Sequence, residues 1–94
     1  KSHVTVRTEQ IVREAQISLL VAKEKQLVES LKVNQRLLDS AASLRDALPA
    51  ESEERESLTQ GIHSVIVAAN KLFDRVDKID QQITVLTNLN NNLN

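Results

Sequence analysis

Cysteine, methionine, tryptophan and tyrosine are absent from this sequence, and glycine, proline and phenylalanine occur once each, as Gly61, Pro49 and Phe73. Each absence closes off a class. Without cysteine there is no disulfide framework, no thiolate nucleophile and no cysteine-ligated zinc site. A single glycine rules out the Gly-rich loops that cradle phosphates. So few turn residues and aromatics leave little with which to build a β-sandwich or barrel. The lone aromatic offers no platform on which nucleic-acid bases would stack. No uninterrupted apolar run approaches the roughly 18 residues of a membrane span. A formal charge of −1 gives no overall pull toward nucleic acid or acidic membranes.

What remains is mostly Leu, Val, Ile, Ala, Glu, Gln, Lys and Arg. Apart from the β-branched Val and Ile, these are good helix formers. The fold class read from this is all-α. The chain of 94 residues makes one domain at most. Starting at Lys1 and lacking methionine, it reads as a single helical coiled-coil segment, residues 1–94, of a larger protein.

The clearest pattern runs from Leu58 to Leu93. Stepped by four and three, it gives Leu58, Ile62, Val65, Ala69, Leu72, Val76, Ile79, Ile83, Leu86, Asn90 and Leu93. All but Asn90 are apolar. A repeat of 3.5 residues favours supercoiling with a partner helix and carries no chemistry. Residues 8–48 contain no helix breaker, and their apolar residues spread more widely. Ile17, Leu20, Val21, Leu27, Val28, Leu31, Leu38 and Ala42 gather on one side at 100° per residue. Val12, Ala15, Leu19, Ala22, Val33, Leu37 and Leu44 occupy a neighbouring or opposite side. A helix apolar on several sides is covered on several sides.

Pro49 marks the break, because it donates no backbone N–H and disfavours helical geometry at Leu48. The expectation is two helices, about 8–48 and 50–90, with a turn at about 46–51. Thr5 or Thr8 would cap the first helix, and Pro49 would stand at the first position of the second. Glu51, Glu53, Glu54 and Glu56 suit the positive end of that helix dipole. A short turn makes the helices an antiparallel coiled-coil hairpin in which residue i faces roughly 99 − i, placing Asn90 near Gln10. The competing geometry is a parallel rod kinked at Pro49, in which Asn90 meets its own copy. Residues 1–48 carry eight Lys/Arg and six Asp/Glu, +2, and residues 49–94 carry four and seven, −3. Opposite signs give the two halves a mild attraction, although exposed ion pairs contribute only about 0–1 kcal/mol each.

The positions flanking the second seam are unusually apolar. Ile66 and Phe73 lie on one side of it, Ala68 and Leu89 on the other, and only Arg75 and Asp80 are charged. A third or fourth helix is therefore expected there, and the hairpin is expected to associate into a four-helix dimer. The candidate interaction residues are Leu31, Leu38, Ile62, Val65, Ile66, Leu72, Phe73, Val76, Ile79 and Ile83.

Signs of catalysis are missing. His3 and His63 stand alone, and Ser64 points about 100° away from His63 on a helix. Asp74, Asp77 and Asp80 recur on one flank with Arg75 and Lys78 between them and no calcium loop nearby. Lys23, Lys25, Lys32 and Arg36 are interleaved with Glu24, Glu29 and Asp39. The reading is not an enzyme, with no catalytic, cofactor or metal residues and no small-molecule substrate, nucleic acid or membrane insertion. The expected role is oligomerisation or scaffolding of a larger cytoplasmic protein, with a second copy or another helical protein as partner. Cytoskeletal, trafficking and cell-division assemblies use such segments. The alternative is a docking module whose apolar groove, around Ile66, Val67 and Phe73, binds a partner helix or regulates an enzyme.

Overall fold

Two helices, α1 (His3–Ala47) and α2 (Glu53–Asn92), make up the computed structural model, which describes residues 2–92. Among these there is no strand, no cis peptide and no positive φ. No helix among them is long and apolar enough to cross a membrane.

The start of α1 differs from the sequence expectation. Ser2 is its cap: the Ser2 hydroxyl accepts from the Thr5 backbone N–H at 3.2 Å and lies 2.9 Å from the Thr5 hydroxyl. This satisfies one of the orphan donors of the first turn. Thr8 is inside the helix, its hydroxyl donating to the Val4 carbonyl at 2.7 Å. α1 thus begins at His3, ahead of the start expected at about residue 8.

The bend corrects the placement of Pro49. The Leu48 N–H closes a tight last turn onto the Arg45 carbonyl at 3.1 Å, and the Ser52 N–H reaches the Pro49 carbonyl at 3.1 Å. Pro49 therefore opens the turn, and Ser52 caps α2 by accepting from the Arg55 N–H at 3.2 Å. Glu53, Glu54 and Glu56 fill the first turn of α2, where carboxylates meet the positive helix end. Arg55 reaches back, its guanidinium donating to the Leu48 carbonyl at 3.3 Å. The chain reverses here, so the kinked rod does not form. Gly61 sits inside α2 with open space where a Cβ would be, and its cost is the helix propensity it forgoes, about 1 kcal/mol relative to alanine.

The chain divides into two compact units. One contains the bend and spans Val28–Asp74; the other combines Lys1–Leu27 with Arg75–Asn94. In the bend unit, Leu31, Asn34, Leu38, Ala41, Arg45 and Leu48 on one arm are half-buried, with Arg55, Leu58, Ile62 and Leu72 on the other. Ala69, 9% exposed, is its one buried hydrophobic among the described residues. In the terminal unit the half-buried positions include Val6, Gln10, Arg13, Ile17, Leu20, Glu24 and Leu27, with Val76, Ile83, Leu86 and Asn90 on α2. Ile79, 6% exposed, is its buried residue. Asn90 donates from Nδ2 to the Gln10 backbone carbonyl at 3.2 Å, within about a residue of the expected register. The expected place of Leu93 on the seam lies outside the described residues.

Candidate functional site: an apolar helical surface

The burial pattern shows how each helix divides its faces. From Val6 to Leu48 a run of half-buried residues steps by four and three without a slip, with Glu9, Val28 and Ala42 half-buried beside it. That is the same 3.5-residue repeat as α2 carries, but Gln10, Arg13, Glu24, Asn34 and Arg45 interrupt it. Of the nonpolar side chains outside this seam, Val28 and Ala42 are half-buried and the others on this arm face water.

The ten predicted interaction residues separate accordingly. Leu31, Leu38, Ile62, Leu72, Val76 and Ile83 are half-buried and Ile79 is buried. Val65, Ile66 and Phe73 stay exposed, Phe73 at 54%. Exposed apolar residues outside that set include Val33, Leu37 and Leu44 on α1, with Leu37 at 62%. The phase of the α1 seam identifies them, because each stands on the side of α1 away from Val28 and Ala42.

In the bend unit a groove of about 420 Å³ opens between the arms, floored by Leu38, Ala41, Leu58 and Ile62 and walled by Asn34, Leu37, Ser57, Gly61 and Val65. None of these side chains is charged. In the terminal unit a broader groove of about 750 Å³ lies over Leu20 and Leu86, with Leu19 and Val85 on its walls. Gln16, Lys78, Gln81 and Gln82 give that second groove a polar rim. The acidic tip, Glu51, Glu53, Glu54 and Glu56, is exposed, as are His63, Asp74, Asp77 and Asp80. No group of three or more His, Asp or Glu among the described residues is placed to hold a metal ion.

The terminal unit also carries polar atoms inside its seam. Arg13 Nη1, Glu24 Oε2 and Asn90 Oδ1 are shut off from solvent without a hydrogen-bond partner. Glu24 holds its proton more tightly than an ordinary glutamate. A side-chain hydrogen bond to Asp80 is the main cause, followed by partial burial and the negative charge of Asp80.

The consequence for stability follows from the sign of that shift. A carboxyl with a raised value in the folded state binds its proton more tightly folded than unfolded. Its contribution is complete below the ordinary value near 4.5 and is lost as pH rises through the raised one. Thermal melts followed by circular dichroism from neutral pH down to about pH 4.5 are expected to show a wild-type gain that Glu24→Gln lacks. Parallel curves for the two proteins would show that Glu24 does not hold its proton more tightly in the folded chain.

The surface is thus a helical pair with a partly polar seam, an uncharged groove and several uncovered apolar rows. No family model matches the sequence, and neither a curated protein nor a solved structure matches it.

Proposed function

We propose that the chain is a structural interaction module, a helical coiled coil that mediates oligomerisation or scaffolding of a larger cytoplasmic protein. Assemblies of the cytoskeletal, trafficking or cell-division kind are its natural setting. One observation carries this reading. Among the described residues only Ala69 and Ile79 are buried hydrophobics, whereas fourteen large hydrophobics are exposed. Burial of apolar surface is the dominant favourable contribution to folding and association, and contiguous apolar rows mark interaction sites. A hairpin with this distribution gains most of its remaining burial from other helices.

The test is solution mass. Sedimentation at micromolar concentration is expected to give about twice 10.5 kDa, the closed dimer being the commonest homo-oligomer. A stable monomer at that concentration overturns self-association.

A second reading is supported by the exposure of Ile66, Val67 and Phe73 on α2. Their flank suits an amphipathic helix of another protein, held by apolar anchors in the helix-in-groove manner. Phe73→Asp introduces a charge at the centre of that flank. Loss of self-association would place Phe73 between copies, and loss of a foreign helix alone would assign the flank to docking.

A further inference from the structure

The enclosed polar atoms of the chain are unevenly shared between its two units. Arg13 Nη1, Glu24 Oε2 and Asn90 Oδ1, shut off from solvent without a partner, all belong to the terminal unit. Among the described residues the bend unit has no such atom. Its own charged seam residues are provided for. Arg45 meets the Asp46 carboxylate at 3.2 Å, and Arg55 donates to the Leu48 carbonyl at 3.3 Å.

An enclosed polar group without a partner costs free energy that is recovered once water reaches it. Each such group therefore shifts its surroundings toward an open arrangement by roughly 5- to 150-fold. Apolar burial does not offset this, because the two units enclose or half-bury similar sets of large apolar side chains. The bend unit also has its two arms joined by the turn between Leu48 and Ser52, so it closes without help from the terminal unit. Proteins open in cooperative units of unequal stability, and the less satisfied unit opens first.

We propose that the terminal unit opens as one cooperative unit while the bend unit stays closed, parting its arms and uncovering the seam at Ile17, Leu20, Ile79, Ile83 and Leu86. The opening gives Arg13, Glu24 and Asn90 the hydrogen bonds with water that the closed seam denies them. It also gives the molecule an apolar surface that is accessible only part of the time. The exposed rows described above are accessible always. The device does not depend on self-association and goes beyond that reading.

Hydrogen exchange of the whole chain, read by mass spectrometry at one fixed protein concentration, tests it. Amides within residues 10–24 and 79–89 are expected to exchange about 100-fold faster than those within 31–45 and 58–72, at one common level within each set. Ile62→Ala truncates a half-buried side chain of the bend unit. It is expected to speed exchange there by about 10-fold. The terminal rates should not move, because those amides exchange while the bend unit is still closed. Arg13→Leu removes one unpartnered group and is expected to slow terminal exchange by about 10-fold.

Three results overturn the proposal. Equal protection in both units, with Ile62→Ala speeding both alike, means that the hairpin opens only as a whole. Protection that rises smoothly from the helix ends, with no step near Leu27 and Arg75, means simple fraying. Terminal exchange unchanged in Arg13→Leu means that the unpartnered atoms do not drive the opening.

Discussion

Ile79→Ala is expected to lower the unfolding free energy by about 2–4 kcal/mol, the range for truncating a buried isoleucine. Ile79 is the most enclosed hydrophobic side chain among the described residues, at 6% exposure, and with Ala69 it makes up the whole buried set. A chain with so small a core has few neighbours able to relax into a cavity. For a domain of this size each kcal/mol moves the thermal midpoint by about 4–8 °C, so the drop should be on the order of 10–25 °C. Val85→Ala, at an exposed site on the same helix, is the natural control and should stay within about 0.5 kcal/mol. Both are read from circular dichroism melts at one fixed protein concentration, because association makes the midpoint concentration-dependent. An Ile79→Ala midpoint equal to that of Val85→Ala would contradict the packing of the terminal unit.

The opposite effect is expected from Arg13→Leu combined with Asn34→Leu. Both residues occupy seam positions where the 3.5-residue repeat calls for an apolar side chain, and both are half-buried. Arg13 Nη1 is enclosed with no acceptor, and a buried polar group left without a partner costs about 1–3 kcal/mol. Leucine at position 13 removes that penalty, and leucine at either position adds apolar burial. The two lie in different units, so their effects should add. Together they are expected to contribute about 3–5 kcal/mol, a rise in midpoint on the order of 15–30 °C. Specificity should fall at the same time. Polar residues at seam positions select one register and orientation over others, at the expense of stability. A cysteine pair at Leu31 and Ala68 reports this, through intrachain cross-linking in the parent and a lower yield in the double variant. A double variant no more stable than the parent would show that these side chains reach water.

The two helices were not equally readable from their residues. The seam of α2 is apolar from Leu58 to Leu86, so its period could be counted directly, and the Gln10–Asn90 proximity followed from Pro49 and helix geometry. In the first arm Gln10, Arg13, Glu24, Asn34 and Arg45 occupy the same kind of positions. Counted at 100° per residue, its apolar residues form two broad clusters and the seam is hidden. Only the alternating steps through Ile17, Leu20, Leu27, Leu31, Leu38, Ala41 and Leu48 reveal it, once the polar members are accepted as interior. The uncovered row through Leu37 and Leu44 is illegible until that phase is known. Ser2 was missed as a cap because Thr5 and Thr8 offer similar hydroxyls, and local chemistry alone does not rank them. Pro49 suits a first helical position and a turn equally well, and the Ser52 hydroxyl decides for the turn by capping the next helix.

The bend between Leu48 and Ser52 also bears on the order in which the pair assembles. Contacts beside it join residues close in sequence, such as Arg55 and Leu48, seven positions apart. The Asn90–Gln10 bond joins residues 80 apart. Loop closure costs about 1.5RT ln n, so ends that meet early shorten the search for those that meet late. Zippering outward from Pro49 turns one large entropic barrier into a run of small ones, and the amide of Asn90 becomes the last latch to engage.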